Sequence, residues 1–418
     1  MMPFTNHKDR EGVVSELHLR RMPALAAPLR MIQILRVVAS DDRAVEALHV
    51  AAMPIAQTHI RQSDRHVDGC SNEGIEFLWE QQSEASTATI ILPGAGIHPF
   101  VVAEHENAAM NWLYEAPGEV LRAIRIEIVE DDLIADAIIN EDIFERDNLV
   151  SCRVPGGARF WSDFKLGQDG FGRLLVAANG MSAFDLGRAV QRFQELGNYR
   201  NLALLGLKVT QTNSPELAVR EAKLLEISEK IVVADHDDLL LDALIDLAAR
   251  TTALNAQTAY RMSATEAYSE VALHRLHALQ AEPIAGYQTL AGFTERRLLP
   301  AVKTCRSFGI RLESLAQRIE RATAQLRTRI EMRIQNQNSE MLASMNESSA
   351  RQLKLQHLVE GLSVVGVSYY VVGLIAYMVK AVDPVLVGID SNHIVAYATP
   401  AVIMVAWFYL RRRMNRTR

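Results

Sequence analysis

The most constraining feature of the sequence is an uninterrupted polar stretch that runs directly into a long apolar one. Neither Gly nor Pro occurs in residues 310–360, so about 51 consecutive residues can remain helical. At about 1.5 Å per residue, such a helix is about 75 Å long. Residues 361–379 then carry no charged side chain. About 19 apolar residues are enough to cross a hydrocarbon core about 30 Å thick.

A second apolar segment and the charges around it predict a membrane hairpin in residues 358–418, with spans at about 361–379 and 394–410. The loop between the spans contains Asp383 and Asp390, whereas five of the last eight residues are Arg. Because positively charged flanks stay in the cytoplasm, we expect a bacterial inner-membrane protein with both termini cytoplasmic and a short periplasmic loop. The alternative is a soluble protein with two buried core helices.

Composition and motifs give no support to nucleic-acid binding or catalysis. The net charge is −6, so no excess of cations is available to replace the counterions of phosphate. The three cysteines form no CxxC pair, which suits neither a disulfide framework nor a zinc site. His98 and the acid-rich residues 104–106 match no metal-binding spacing. We therefore predict a non-enzymatic protein with no metal site and no cofactor, apart from a divalent or monovalent cation that could pass through it.

Residues 1–234 are predicted to form a cytoplasmic α+β head, in which helices accompany a mixed sheet. Residues 29–38 are short and rich in β-branched side chains, and residues 121–129 alternate in polarity, so both indicate strands. Near the N-terminus, Glu16, His18 and Arg20 form a compact polar cluster. From residue 182 the pattern becomes helical, and it predicts two amphipathic helices, 182–205 and 215–231.

Residues 235–357 are predicted to form a long helical stalk. Residues 239–280 and 310–360 each lack Pro and Gly. Apolar residues recur at three- and four-residue spacing from Leu312 to Ile334, a pattern typical of a helix that buries one seam against a partner helix, as in a coiled coil.

The stalk becomes rich in amide side chains toward the apolar segment, and this section has two interpretations. It is a solvated or register-setting part of a coiled coil, or its side chains line a wet axial passage just inside the membrane. In the second interpretation the inner mouth consists of Asn336, Asn338, Asn346, Gln356 and Glu360.

Six residues of the first span fall on one helix face because they follow one another at intervals of three and four. Small residues on such a face permit close helix approach, and hydroxyl groups need partners in lipid. The face is therefore a helix-packing seam or a pore-facing stripe, and the two coincide if several copies surround one axis. The membrane stripe consists of Ser363, Gly366, Tyr370, Gly373, Tyr377 and Lys380.

Several segments together resemble one known family. The clearest match is QLKLQ at residues 352–356, which continues into VEGLSV at 359–364. Residues 187–192 (GRAVQR), with Glu195, Tyr199 and Arg200, are also similar to it, as are RRL at 296–298 and the polar cluster at Glu16. Residues 79–82 resemble a Trp-Glu-x-His segment of the family in which Gln82 replaces the His. The chain is identified over nearly its whole length as similar to the bacterial membrane-anchored family of unknown function 3422, a resemblance that implies topology rather than an activity.

A second, weaker likeness concerns architecture alone. An α/β head, long helices, two C-terminal spans and a basic tail are similar to the layout of CorA-type metal-ion transporters, which are pentamers with the first span lining the pore. Those transporters carry Gly-Met-Asn at the outer end of that span, where this chain has residues 377–380, YMVK. Fold-level likeness does not identify a site.

Two function hypotheses follow from these patterns. The first is a homo-oligomeric, CorA-like inner-membrane protein that passes or senses ions along the membrane stripe. The second is a membrane-tethered scaffold or sensor whose cytoplasmic head binds a protein or a small ligand, with the hairpin serving as the anchor.

Overall fold

A computed structural model of the chain describes residues 7–10, 14, 22–56, 61–63, 65–96, 98–103, 106–141, 143–233, 236–380 and 391–414. It contains two compact units. The first comprises residues 1–234 and 242–322, and the second comprises residues 235–241 and 323–418. The boundaries of these two units differ from those of the predicted head, stalk and hairpin, which stay predictions.

A mixed sheet dominates the first unit, as the α+β prediction required. Its strand order is β10-β7-β8-β9-β6-β1-β5-β4-β3-β2. All pairs in it are antiparallel except β6 with β9. The strands are β1 (Leu29–Val37), β2 (Arg61–Ser63), β3 (His66–Cys70), β4 (Glu76–Gln81), β5 (Ala85–Pro93), β6 (Glu119–Val129), β7 (Val150–Arg153), β8 (Arg159–Ser162), β9 (Gly172–Ala177) and β10 (Glu282–Pro283). The strands expected at residues 29–38 and 121–129 are confirmed as β1 and β6.

Seven α-helices accompany the sheet in the described part of the chain. They are α1 (Arg43–Ala51), α2 (Asn107–Glu115), α3 (Asp132–Ile139), α4 (Ala183–Val233), α5 (Asp237–Ala278), α6 (Leu290–Lys380) and α7 (Ser391–Met414). The long helical region predicted from the sequence is therefore present.

The two faces of the sheet bury different sets of side chains, because successive residues of a strand point in opposite directions. On one face, residues such as Met31 and Ile126 pack with Phe193 of α4, Ala272 of α5 and Phe293 of α6. On the other face, residues such as Ile32 and Phe77 pack with Val50 of α1 and Trp112 of α2.

Helix α4 is continuous, so the prediction of two separate helices at residues 182–205 and 215–231 is wrong. Pro215 lies inside it and lacks the N–H group of a normal helical hydrogen bond. Just before it, Asn213 Nδ2 donates to the carbonyl of Val209 at 2.8 Å, and Ser214 Oγ donates to that of Thr210 at 2.7 Å. Leu217 and Leu224 beyond the proline are buried. Packing on both sides of Pro215 therefore keeps α4 continuous through a residue that disfavours helix.

Helix α6 begins about twenty residues before the predicted start at Ile310. Thr289 caps it, since its Oγ1 accepts a hydrogen bond from the backbone N–H of Gly292 at 3.0 Å. The predicted apolar seam is buried at Leu312, Leu315 and Ile319, whereas Ile334 at its far end is half exposed. The seam prediction is confirmed at Leu312, Leu315, Ile319 and Leu326, which are all buried, and is wrong at Ile334.

Within the second unit, the helices contain the apolar segments that the sequence indicates. Among the described residues, one helix is long and apolar enough to cross a membrane, and no residue of its apolar window is buried. A shorter apolar helix, Val395–Tyr409, lies within α7. Asp237 at the start of α5 is almost fully buried and accepts a hydrogen bond from Arg329 Nε of α6 at 3.0 Å.

Candidate functional site

The residues of the membrane stripe do not pack as one seam within the described chain. Tyr370 and Tyr377 are 74% and 80% exposed. A Cβ atom added to Gly366 or Gly373 would have no other heavy atom within 4 Å. Ser363 Oγ donates to the carbonyl of Val359 at 2.8 Å. This face is open, and its role as a pore or packing surface stays a prediction.

Helices α6 and α7 lie beside each other through a different set of residues. An apolar groove between them is lined by Ser363, Val364, Val367, Ser368 and Val371 of α6 and by Ala401, Val402, Val405, Ala406 and Tyr409 of α7. Among the stripe residues, only Ser363 takes part in this lining.

The predicted inner-mouth residues lie on exposed helix surface. Asn336, Asn338, Asn346 and Gln356 are exposed, and Glu360 is partly covered. His357 Nδ1 lies 3.8 Å from a carboxylate oxygen of Glu360. Lys380 ends α6. Two predicted groups lie outside the described residues. They are the outer-loop residues Asp383 and Asp390 and the N-terminal cluster of Glu16, His18 and Arg20.

A polar row on the sheet marks a site that the sequence analysis did not identify. His66 of β3 pairs with Glu80 of β4, and Glu80 pairs with Thr87 of β5. Thr89 lies two residues farther along β5, on the same face, opposite Gln33 of β1. Side chains at paired positions of neighbouring strands are about 5 Å apart. Five polar groups on four adjacent strands therefore share one face of the sheet.

Helix α4 covers this row and closes a polar pocket. The cavity offers about 50 Å³ to water-sized groups, and its mouth opens to solvent. One water needs about 10–15 Å³ on this measure, so the cavity has room for only a few water-sized groups. It is lined by Met22, Gln33, His66, Leu78, Glu80, Gln82, Thr87, Thr89, Gln191, Gln194, Glu195 and Asn198.

Gln194 is the unusual residue of the pocket. Its side chain is 1% exposed, yet neither its Oε1 nor its Nε2 has a hydrogen-bond partner within the described chain. A buried polar group without a partner costs about 1–3 kcal/mol. The side chain contributes to the lining of the pocket.

A hydrogen-bond network fixes the base of the pocket. Arg122 Nη1 of β6 donates to Asn198 Oδ1 at 2.9 Å and to Gln33 Oε1 at 3.3 Å. Asn198 Nδ2 also donates to Gln33 Oε1, at 3.1 Å. Gln33 Nε2 in turn donates to Thr89 Oγ1 at 3.1 Å. The network connects a guanidinium group to a threonine hydroxyl that lines the pocket.

The position of Arg122 depends on a glycine of α4. A Cβ atom at Gly197 would lie 2.8 Å from Cζ of Arg122, so a larger residue would displace the guanidinium. Burial, and to a lesser extent the nearby Arg200 cation, lowers the pKa of Arg122 to about 9. The guanidinium still carries its charge at neutral pH and places a positive charge behind the amides.

Two carboxylates near the pocket lie close to basic side chains. Arg275 Nε lies 2.6 Å from Glu195 Oε2. His66 Nε2 lies 3.1 Å from Asp68 Oδ1, which gives the imidazole a fixed orientation. In the described part of the chain, no group of three or more His, Cys, Asp or Glu side chains could hold a metal ion. The site is suited to hydrogen bonding of a small polar molecule.

Comparison with known protein families identifies the chain. The model of the family described as protein of unknown function, DUF3422, matches residues 5–417. The chain belongs to this family. Comparison with curated proteins and with solved structures finds no match. The resemblance inferred from the motifs is therefore confirmed, whereas no solved structure supports the CorA-like layout.

Two of the segments that carry the DUF3422 resemblance meet in the polar pocket. Strand β4 and the residue after it supply Glu80 and Gln82, and α4 supplies Gln191 and Glu195. The segments are about 110 residues apart in sequence, so their meeting is a property of the fold. The sequence had one usable signal, namely that both segments resemble the same family.

Proposed function

We propose that this protein is a homo-oligomeric receptor of the bacterial inner membrane, in which a cytoplasmic α+β head binds a small polar ligand. The observation that supports this function most directly is Gln194, whose side chain lines the polar pocket and whose buried amide has no hydrogen-bond partner among the described residues. Binding of a ligand that pairs with this amide removes a cost that the ligand-free protein carries.

Membrane anchoring is supported by the exposed apolar window of α6 and by the apolar segment of α7. In water, contiguous exposed apolar surface of this extent favours association or precipitation. In a bilayer it faces hydrocarbon, and a helix satisfies its own backbone hydrogen bonds. The arginines at residues 411–418 support a cytoplasmic location for that segment, because positively charged flanks stay in the cytoplasm.

Fractionation and a reporter fusion test the anchor. The full chain is expected in the membrane fraction, resistant to alkaline carbonate and released by detergent. A fluorescent reporter that folds only in the cytoplasm is expected to be active when fused after Arg418. A chain that stays in solution without detergent, or a reporter active only in the periplasm, would refute the proposed topology.

Ion passage is a second candidate function, favoured by the open membrane stripe. Gly366 and Gly373 leave room for another helix, and Tyr370 and Tyr377 are exposed beside them. Several copies that pack through this face would surround an axis lined by hydroxyl groups, with Asp383 and Asp390 setting the charge at its outer mouth.

The mass of the protein in detergent and ion flux into liposomes test this second candidate. A monomer leaves no axial passage. If an oligomer is found, Tyr370→Ala and Gly373→Leu are expected to change the flux. A substitution on the groove side, Val367→Ala, serves as the matched control. Unchanged flux in both stripe variants would exclude the stripe from conduction, while leaving the receptor function intact.

A further inference from the structure

The polar pocket has hydrogen-bonding groups of opposite character on its two sides, and they select a class of ligand. We infer that the pocket binds a small amino-acid-like molecule, one that carries a carboxylate or carbonyl acceptor at one end and an ammonium or amide donor at the other. This inference rests on the proposed receptor function and names the ligand class for that site.

The donor side follows from the chemistry of arginine. A guanidinium group only donates hydrogen bonds, so the amide oxygens of Gln33 and Asn198 must face Arg122. Gln33 therefore directs its Nε2 toward Thr89 and donates to Oγ1. Because the Thr89 oxygen accepts this bond, its own hydrogen is available for donation into the pocket. The charge of Arg122 polarises the chain of hydrogen bonds and favours an acceptor, such as a carboxylate, beside Thr89.

The acceptor side lies on β4 and the residue that follows it. The Glu80 carboxylate only accepts hydrogen bonds when ionised. Gln82 Oε1 is buried and has no hydrogen-bond partner in the described part of the chain. Both side chains line the pocket. An ammonium or amide N–H group is the natural complement of this side.

Gln194 approaches from α4 and can donate and accept at once, so it suits a ligand with both kinds of group. Among the described lining residues there is no Lys or Arg, and the one guanidinium of the network lies behind the amides. A phosphate group, which normally binds directly to Arg, Lys or several backbone N–H groups, therefore finds little direct support.

Binding to the full chain in detergent micelles tests the inference. The probes are the individual L-amino acids, followed by analogues of any that bind: the amine without the carboxylate and the acid without the amine. Uracil, adenine and inorganic phosphate represent other ligand classes. Calorimetry is expected to show binding of at least one amino acid, with a loss of tenfold or more when either end group is removed.

Three variants connect any binding to the pocket. Gln194→Leu is expected to abolish binding while leaving the protein as stable as wild type, or more stable, because it removes an unpartnered buried amide. Thr89→Val keeps the shape of the side chain but removes the hydroxyl donor. It is expected to weaken the binding of carboxylate-bearing ligands at least tenfold. Gln317→Leu, on the exposed surface of α6, is the matched control and is expected to bind normally.

The possible results separate the ligand class from the receptor function. Binding of uracil, adenine or phosphate that Gln194→Leu abolishes, with all amino acids inert, would overturn the amino-acid class and keep the receptor. Amino-acid binding that Gln194→Leu and Thr89→Val leave unchanged would show that the pocket is not the site. If no probe binds and Gln194→Leu only stabilises the protein, the pocket holds water alone and both proposals fail.

Discussion

The contact between three long helices at Gly206 supports a quantitative prediction. A Cβ atom at Gly206 of α4 would lie 3.0 Å from Cβ of Thr265 in α5, 3.3 Å from Sγ of Cys305 in α6, and even closer to Thr265 Oγ1. Thr265 and Cys305 are both buried. Gly206→Ala therefore forces helices apart at a site where neither neighbour has free space.

The magnitude follows from two opposing effects. Replacing Gly by Ala inside a helix gains about 1 kcal/mol of helix propensity. Overpacking a buried contact costs about 1–3 kcal/mol and occasionally more, and here it involves two neighbouring helices. Because two helices are involved, we place the overpacking cost at about 2–3 kcal/mol, so the expected net destabilisation is about 1–2 kcal/mol. Gly309→Ala in α6 is the matched control, because a Cβ atom there meets nothing within 4 Å. It is expected to stabilise by up to about 1 kcal/mol.

A double-mutant cycle isolates the clash. Thr265→Ala removes the atom nearest the added methyl group, and the hydroxyl it removes is buried without a partner in the described chain. That single variant is expected to be nearly neutral. Combined with Gly206→Ala it is expected to recover part of the loss, with a coupling energy of about 1–2 kcal/mol.

Tryptophan fluorescence during urea unfolding in detergent provides the assay. Trp79, Trp112 and Trp161 are buried in the first unit and report on its unfolding. If Gly206→Ala were as stable as wild type, or if its effect were independent of Thr265→Ala, the proposed contact between the helices would be wrong.

Three further predictions concern ionised groups. Glu106 holds Arg30 through a buried bidentate pair at 2.6 and 2.9 Å, so Glu106→Gln is expected to lower the free energy of unfolding by about 3–5 kcal/mol, as measured by urea unfolding. Asp237→Asn weakens the charged hydrogen bonds from Arg329, and we expect a loss of about 1.5–3 kcal/mol in the local stability of residues 236–241, measured by hydrogen exchange. Burial raises the pKa of Glu76 above its ordinary 4.5, so the folded state binds this proton more tightly than the unfolded chain and stability falls as pH rises through that window. The free energy of unfolding of Glu76→Gln is expected to equal that of wild type below pH 4 and to exceed it at pH 7. The difference is no more than about 1 kcal/mol because the side chain is only partly shielded from water. Equal pH profiles of stability for the two proteins would contradict this prediction.

The α+β class could be predicted because its signals are local. Alternating polarity at residues 121–129 and the apolar run at residues 29–38 specify strands by their period. The absence of Gly and Pro in residues 310–360 permits one long helix. The same local reasoning failed at Pro215, where packing of Leu217 and Leu224 outweighs the propensity of a single residue.

The polar pocket could not be predicted in this way. Its sheet residues lie on β3, β4, β5 and β1, and its covering residues lie on α4, about 100 positions from the nearest of those strands. No periodicity within one segment reports which strands will be neighbours. Gln194 becomes buried without a hydrogen-bond partner among the described residues only when α4 packs on the sheet.

The sequence by itself indicated the α+β class and the long helical region, where the apolar segments lie and which family the chain resembles, because these are encoded in short-range patterns. Only the tertiary structure decided that Arg122, Gln33, Thr89 and Gln194 share one site. The physical reason is that hydrogen-bond satisfaction depends on distances in space, and residues far apart in the chain set those distances.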